Sequence, residues 1–333
     1  MKRKFFSMAA AALCLSTLAS LAFARPLKKQ DKKSAAFNDL NMVALAPSEA
    51  EAKYDVYTIG ENTQSYTAVR FVSPFKMNAY ETTYNLWYIC RIYAEQNGYT
   101  FANPGQEGSG GKRGAAPTAQ GAYQPVTMVN WRDAAVWCNA LSEMSGKKPC
   151  YTLDGNVLRD ATDTAALEKC SCDWSADGYR LPTETEWEYA ARKTPKGFQN
   201  GALASGQTDD SVQEGDVAWF DANSDGTRVV GTAGSVFEKE APPEPGSGRA
   251  NAAGIYDMSG NVLEFCWDWL ADYQETAGVE RATGASFGNE KVCRGGSWSP
   301  YTGFIYCGDR YGYDPNERYD FLGFRVCQSI VEE

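Results

Sequence analysis

Apolar residues repeat with the 3.6-residue period of an amphipathic helix in two stretches of the chain. The first stretch, residues 81–96, ends at Asn97-Gly98, a typical helix stop. The second, residues 131–144, ends before Gly146. The pattern places these side chains on the buried faces: Tyr84, Leu86, Trp87, Ile89, Cys90 and Ile92 in the first helix, and Ala134, Val136, Trp137, Ala140 and Leu141 in the second.

A third and shorter helix is predicted after Pro182. Thr183 and Glu186 have the spacing of a capping box, in which each side chain accepts a hydrogen bond from the other residue's backbone. Glu184, Glu186 and Glu188 alternate through the first turns of this helix. Acidic side chains near a helix N-terminus are favoured by the helix dipole, so the pattern predicts that these three carboxylates face solvent.

The rest of the chain has the pattern of short strands and turns. Residues 54–72 alternate enough to predict strands, for example over 66–71. Residues 104–122 are rich in glycine and proline and predict a loop, and short strands and turns follow from Gly254. Few helices in a turn-dense chain indicate an α+β fold, loop-rich, with few short helices.

The N-terminus has the pattern of a secretory signal. Basic residues 2–4 precede an apolar stretch too short to span a membrane comfortably, and Ala22-Phe23-Ala24 fits a cleavage site. We therefore predict a signal peptide over 1–24, a flexible lead-in over 25–52, and one domain over 53–330. The protein is expected to be exported, to the periplasm, the cell surface or the medium, without a transmembrane segment.

Charge and composition exclude several functions. The formal net charge is −10, which disfavours binding to nucleic acid. The chain has no histidine. It therefore has no Ser-His-Asp or Cys-His catalysis and no histidine-ligated zinc or iron site.

Three strings of residues occur in an order typical of one family. They are residues 179–192 (YRLPTETEWEYAAR), residues 254–265 (GIYDMSGNVLEF) and a C-terminal set that contains residues 293–298 (CRGGSW) and 322–326 (LGFRV). Together they resemble the formylglycine-generating enzyme (sulfatase-modifying factor) family from about Phe75 to Cys327. The resemblance implies the formylglycine-generating-enzyme-like variant of the C-type lectin fold.

The resemblance also shows where the cysteines needed for oxidase activity would lie. In the family, two cysteines after the Arg-Gly-Gly-Ser motif bind copper(I), a soft ion that thiolates suit. The first of those positions is Pro300 here, and the second falls near Ile305 or Thr302. Cys307 matches a family position outside the catalytic pair. We therefore expect no copper site and no catalytic residues, although a formylglycine-generating oxidase acting on a sulfatase cysteine is the competing hypothesis.

A structural calcium ion is the second feature that the resemblance implies. By position its ligands would be the carboxylates of Asp257 and Glu264 and the backbone carbonyls of Gly260 and Val262, oxygen ligands that calcium prefers. The alternative is a turn that leads into a strand, with Asp257 capping it and Gly260 at positive φ.

Nine cysteines follow the predicted signal peptide, and disulfides are common outside the cytoplasm. The candidate bridge joins Cys150, at the start of a predicted short strand, to Cys172, after an insertion over 158–170. The alternatives are two buried thiols, or Cys170 as the partner of Cys150.

The last informative feature of the sequence is an aromatic segment over residues 298–321. It resembles the variable proteins of diversity-generating retroelements, in which fixed residues alternate with variable ones. The alternative is an ordinary family member with aromatic loops. Tyrosine and aspartate suit a recognition surface for a protein, peptide or glycan. The predicted ligand-binding residues are Trp298, Tyr301, Phe304, Tyr306, Tyr311, Tyr313, Asp314, Tyr319 and Phe321.

The burial of this segment can also be predicted. Trp298, Leu322 and Phe324 lie in motifs typical of strands and should pack inward, while the tyrosines should be exposed. These observations favour a non-catalytic binding or accessory module that acts through the 298–321 surface. A structural envelope protein is a further alternative.

Overall fold

The computed structural model describes residues 37–45, 54–60, 67–208, 211–236, 243–273 and 283–331. The predicted signal peptide and much of the predicted lead-in lie outside these residues. Residues 38–333 form one compact unit. Among the residues described, no helix has the length and apolar character needed to cross a membrane.

The described residues contain four α-helices: α1 (Tyr84–Gln96), α2 (Trp131–Met144), α3 (Thr164–Glu168) and α4 (Glu184–Arg192). Helix α2 has the predicted bounds, and its predicted core stripe is buried. Helix α3 is a short helix inside the 158–170 insertion, where no helix was expected.

Helix α1 begins three residues later than the sequence pattern suggested. Thr83 is its N-cap, and the threonine side chain accepts a hydrogen bond from the backbone N–H of Leu86. Ile89, predicted to be buried, is 52% exposed, and the buried face includes Ala94 instead. The capping box of α4 is confirmed, with Thr183 and Glu186 each accepting from the other's backbone.

The strands are short, and most are two to five residues long. They are β1 (Met42–Leu45), β2 (Asp55–Ile59), β3 (Ala68–Val72), β4 (Phe75–Asn78), β5 (Gln106–Glu107), β6 (Val126–Thr127), β7 (Tyr151–Leu153), β8 (Asn156–Val157), β9 (Ser171–Cys172), β10 (Tyr179–Arg180), β11 (Lys193–Thr194), β12 (Gly197–Phe198), β13 (Leu263–Trp269), β14 (Lys291–Arg294), β15 (Arg310–Tyr313), β16 (Leu322–Gly323) and β17 (Cys327–Ser329).

One four-stranded antiparallel sheet joins the two ends of the domain, in the order β1-β4-β17-β10. Strand β1 lies inside the segment predicted as a lead-in and pairs with β4 over residues 42–45. The sheet therefore includes residues that precede the domain boundary predicted at residue 53.

A second four-stranded sheet, in the order β15-β14-β13-β16, carries the C-terminal motifs. Its two faces pack against different cores, as the alternation of side chains in strands requires. Phe265 and Cys293 are paired residues and join the core formed with α1 and α2. Cys266 and Val292 project into the other core, together with Trp187 of α4. The sheet is therefore fixed from both sides.

Candidate functional site

The turn after β14 shapes the 298–321 surface. Gly295 and Gly296 both have positive φ, which glycine adopts without strain. A Cβ on Gly296 would lie 2.4 Å from the carbonyl oxygen of Phe304, so the loop packs directly on this glycine. The backbone N–H of Ser297 donates to the carbonyl of Thr302 at 2.9 Å. The loop that carries Tyr301 and Phe304 is thus held against the turn.

A buried charge network supports the surface from below. Arg310 of β15 donates to both carboxylate oxygens of Glu184, at 2.6 and 2.7 Å. Arg294 of β14 donates to Glu188, which also accepts from Arg192 at 2.7 Å. Burial by itself raises the pKa of Glu184, but the guanidinium groups of Arg310 and Arg294 hold it below its ordinary value.

The expectation that the α4 carboxylates face solvent is therefore wrong. Glu184, Glu186 and Glu188 are all buried. Glu186 accepts two hydrogen bonds from Arg180, at 2.6 and 2.7 Å. Each carboxylate is neutralised by at least one arginine, and buried charges are tolerated when they are paired in this way.

The predicted ligand-binding residues divide into an exposed group of three and a packed group. The side chains of Tyr301 and Phe304 are 85% and 67% exposed. Asp314 is also exposed, and Trp298, Tyr306, Tyr311, Tyr313 and Tyr319 are half-buried. Phe321 is buried. The structure thus brings the segment together but turns only part of it outward.

The packed group forms a cluster of rings on the second sheet. The rings of Tyr319 and Phe321 are stacked with centroids 4.9 Å apart, and Tyr313 meets Tyr319 edge-on at 5.4 Å. The hydroxyl of Tyr311 donates to the carbonyl of Phe304 at 3.1 Å. Leu322 and Phe324 are buried as expected, whereas Trp298 is only half-buried.

The positions of the family's cysteine pair hold no thiol here. Pro300 is exposed, and Ile305 is buried in a small apolar cluster. Cys307 is buried, and its thiol lies 3.8 Å from the carbonyl of Ala191. Burial raises the pKa of Cys307 to about 12, so this thiol is protonated at neutral pH. A buried thiol without a thiolate form is a poor copper ligand or nucleophile.

The predicted calcium ligands lie around an arginine. Arg325 donates to both oxygens of Glu264, at 2.6 and 2.7 Å, and to the backbone carbonyl of Asp257 at 3.2 Å. One carboxylate oxygen of Asp257 accepts from the backbone N–H of Gly231, and the other is buried without a partner. Gly260 has the positive φ expected of a turn.

These contacts do not fit a calcium ion well. The guanidinium group already supplies the positive charge beside Glu264. The described residues also contain no group of three or more acidic or cysteine side chains arranged to hold a metal. Calcium at Asp257, Gly260, Val262 and Glu264 stays a prediction, which chelation can test.

The two cysteines of the predicted disulfide are neighbours. Strand β7 pairs with β9, and Tyr151 lies opposite Cys172. The backbone N–H of Asp173 donates to the carbonyl of Cys150 at 2.8 Å, which places Cys150 beside Cys172, and the neighbouring thiol of Cys172 lowers the pKa of Cys150. Both are free thiols in the structure. This strand pairing favours Cys172 over Cys170 as the partner of Cys150, and the disulfide itself stays a prediction.

Comparison with known families identifies the domain. Residues 28–330 match the model of the sulfatase-modifying factor enzyme 1-like domain. The chain belongs to this family. Membership confirms the resemblance indicated by the three strings of residues.

Relatives of this sulfatase-modifying factor domain include a protein named as a chaperone and proteins named as enzymes. The chain is 33% identical over 189 residues to the chaperone protein LppX of Paenibacillus barcinonensis, covering 54% of this chain and 60% of LppX. It is 29% identical over 213 residues to the formylglycine-generating enzyme of Bos taurus, covering 61% of this chain and 50% of the enzyme. In both cases the chain spans less than two thirds of the relative's length.

Among solved structures, this sulfatase-modifying factor domain is similar to Treponema denticola variable protein 1. The identity is 27% and the TM-score 0.62, and the match covers 87% of this chain and 95% of that one. The lectin-like fold class predicted from the sequence is thereby confirmed. The similarity also agrees with the resemblance of the C-terminal segment to variable proteins.

Sequence reasoning missed the residues that hold this site in place. Arg180, Arg294 and Arg325 belong to the recognised family strings and Arg310 to the aromatic segment 298–321, but their carboxylate partners were not assigned. The sequence did contain one indication of this pairing. Helix α4 has several glutamates, and the neighbouring motifs contain arginines that can neutralise them if both are buried.

Proposed function

We propose that this protein is a non-catalytic sulfatase-modifying-factor-like module that binds a partner through the 298–321 surface. The observation that carries the proposal concerns a single loop with two properties. Exposed Tyr301 and Phe304 project from the loop, and the same loop has Pro300 and Ile305 where the family's catalytic cysteines would lie.

The physical form of the loop supports binding. Exposed aromatic rings supply large contact areas at low entropic cost, since each has two side-chain torsions to fix. The loop that carries them is pinned to the Gly295-Gly296 turn, and β15 is pinned to α4 by Arg310. A surface of this kind binds a protein, peptide or glycan with little ordering of its own backbone.

Export is part of the same proposal. The N-terminal basic and apolar pattern supports a signal peptide, and export would place the 298–321 surface where it meets extracellular or periplasmic partners.

The test compares two sets of variants in one binding screen. Purified protein is applied to a glycan array and to displayed peptides, and positive ligands are titrated. The double variant Tyr301→Ala/Phe304→Ala should weaken binding by tenfold or more if these rings are central anchors. Phe287→Ala removes another highly exposed ring, outside the 298–321 segment, and should leave affinity unchanged.

Two results would contradict the binding proposal. One is equal affinity of all three proteins for every ligand found. The other is a loss of binding that accompanies unfolding of the double variant, detected as a changed near-ultraviolet circular dichroism spectrum.

The oxidase hypothesis has a separate test. The protein loaded with copper(I) is mixed with a Cys-x-Pro-x-Arg peptide, and oxygen uptake and loss of the peptide thiol are followed. We expect neither, because Pro300 has no sulfur and the thiol of Cys307 is buried. Oxygen-dependent consumption of the peptide thiol would return the protein to the enzyme class.

A further inference from the structure

A cavity of about 250 Å³ lies beside the start of β14, away from the loop that carries Tyr301 and Phe304. Four indole rings line it, together with the side chains of Cys170 and Lys291; the indoles belong to Trp131, Trp174, Trp267 and Trp269. Its volume is slightly below the range of pockets for drug-sized molecules, so it suits a small ligand.

A bulge in β13 builds one wall of the cavity. Phe265 faces Cys293 and Trp269 faces Lys291, so β13 uses two more residues than β14 between the same pairs. Bulges bend a strand and re-aim its side chains. Here the bulge contains Trp267, whose ring stacks on Tyr151 at 5.0 Å.

Lys291 is the unusual group in this cavity. Its residue is only 2% exposed. The Nζ atom lies 3.9 Å from the ring centroid of Trp131 and 3.7 Å from that of Trp269. It donates one hydrogen bond, to the carbonyl of Trp267 at 2.9 Å. Among the described residues, no carboxylate lies within ion-pair distance of Nζ.

A buried ammonium without a carboxylate is costly, and the two indole faces offset only part of that cost. The groups that act on the charge of Lys291 are Cys170, Asp268 and Arg132, and the cavity lining also contains the carboxylate of Glu168 and the thiol of Cys172. Arg132 forms an ion pair with Glu168 at 3.1 Å, so these two charges balance. Asp268 accepts from the backbone N–H of Glu184, on the α4 side of the sheet.

We propose that this cavity binds a small organic carboxylate with a flat or short apolar body, held by an ion pair to the Lys291 amine. The ligand's carboxylate supplies the partner that Nζ lacks. Its body packs on the indoles, and the hydroxyl groups of Ser171 and Ser286 lie in the same lining. The positively charged Lys291 amine would repel a cationic ligand. A neutral ligand would leave the charge of Lys291 without a counterion.

The proposal predicts a pH dependence with a definite sign. Burial lowers the pKa of Lys291 to about 7, and burial raises the pKa of Asp268 to about 7. A bound carboxylate favours the ammonium form, so affinity is greatest below this range. It falls as the pH rises, because Lys291 loses its proton and Asp268 gains a negative charge.

Benzoate is the probe, and benzamide is its neutral match. Tryptophan fluorescence of the full chain is titrated with each at about pH 6 and about pH 8.5. We expect saturable benzoate binding at the lower pH that weakens by roughly tenfold at the higher pH, with benzamide weaker than benzoate by a similar factor. Monosaccharides and alkylammonium salts serve as the neutral and cationic alternatives.

Lys291→Met removes the amine while keeping the length of the side chain, and Lys196→Met is the matched change at an exposed lysine. The first should abolish the preference for benzoate over benzamide without lowering the melting temperature, since it removes an unpaired buried charge. The second should match the parent in both measurements.

The proposal is overturned if benzoate fails to saturate at tens of millimolar at the lower pH, or if benzoate and benzamide bind equally. It is also overturned if Lys291→Met binds benzoate as the parent does. Saturable binding of a monosaccharide or an alkylammonium ion alone would assign the cavity to that other class of ligand.

Discussion

At the scale of single residues, two aromatic side chains in the C-terminal part of the domain have opposite roles. Tyr301 is exposed, whereas Phe324 lies between helices α1 and α2, with its ring edge-on to Trp87 at 6.1 Å and to Trp137 at 5.4 Å. Burial therefore distinguishes the candidate binding residue Tyr301 from the core residue Phe324.

The difference predicts two stability changes. Tyr301→Ala should change the free energy of unfolding by no more than about 0.5 kcal/mol, since its ring contacts mainly solvent. Phe324→Ala should cost about 3–5 kcal/mol through the cavity that it leaves. Urea unfolding followed by circular dichroism measures both. Equal losses in the two variants would show that Tyr301 is a core residue.

At the scale of elements, α4 connects the second sheet to the rest of the domain through charge. Glu188 accepts from Arg192 within the helix and from Arg294 on β14. It also accepts from the backbone N–H of Gly60 at 2.8 Å, just after β2. One buried carboxylate therefore holds three elements.

Removing this charge should be severe. Glu188→Gln leaves two buried guanidinium groups without their shared counterion, and breaking a buried ion pair costs about 3–5 kcal/mol. The matched change, Glu95→Gln, breaks a more exposed pair with Arg91 and should cost about 0.5 kcal/mol or less. Thermal and urea unfolding compare the two. Similar small losses in both variants would mean that the network contributes little to stability.

The β7–β9 pair gives a second prediction at this scale. Oxidation in a glutathione buffer should link Cys150 to Cys172, because the pairing of β7 with β9 places the two residues side by side. Loss of the bridge in a Cys150→Ser/Cys172→Ser variant should cost about 2–4 kcal/mol. Peptide mapping without reductant identifies the linkage. A bridge that involves Cys170, or full retention of both thiols, would contradict the assignment.

At the scale of the whole molecule, one cluster ties distant parts of the chain together. Glu81 precedes α1, Asp257 lies in a loop, Glu264 belongs to β13, and Arg325 precedes β17. Glu81 accepts from the side chain of Asn261 at 2.6 Å, while Arg325 pairs with Glu264. Arg325 pairs with Glu264 and attracts the buried carboxylates of Glu81 and Asp257 electrostatically, so protonation of these two carboxylates should affect global stability.

Asp257 should make stability fall as the pH rises. Burial raises the pKa of Asp257 to about 6, so the folded state holds this proton more tightly than the unfolded chain does. The stability contribution is present below about pH 4 and is lost as the pH approaches 6. Asp257→Asn cannot ionise. It should equal the parent near pH 4 and be more stable by about 1–3 kcal/mol near pH 7.

A bound calcium ion would reverse the predicted effect of Asp257→Asn on stability. If Asp257 and Glu264 hold the ion, the variant becomes less stable at neutral pH, and EDTA lowers the melting temperature of the parent. A site filled at a hundred times its dissociation constant adds about 2.7 kcal/mol. Scanning calorimetry with EDTA or with added calcium therefore separates a protonated cluster from a metal site.

The sequence by itself determined the features that depend on neighbours along the chain. The period of apolar residues located α2, and the Thr183–Glu186 spacing fixed the start of α4. Linked motifs identified the family, and the absence of histidine excluded whole classes of chemistry. Each of these inferences uses contacts within a few residues, or residue types alone.

Only the tertiary structure decided which side chains are buried where distant elements meet. Glu184 is exposed on an isolated helix but is buried here by Arg310, which lies 126 positions away. Ile89 has an apolar side chain, yet it is 52% exposed. Lys291 lies in a cavity lined by indole rings because the bulge in β13 changes which residues of β13 lie opposite β14. Burial and charge pairing at these positions depend on long-range packing, which a local pattern does not encode.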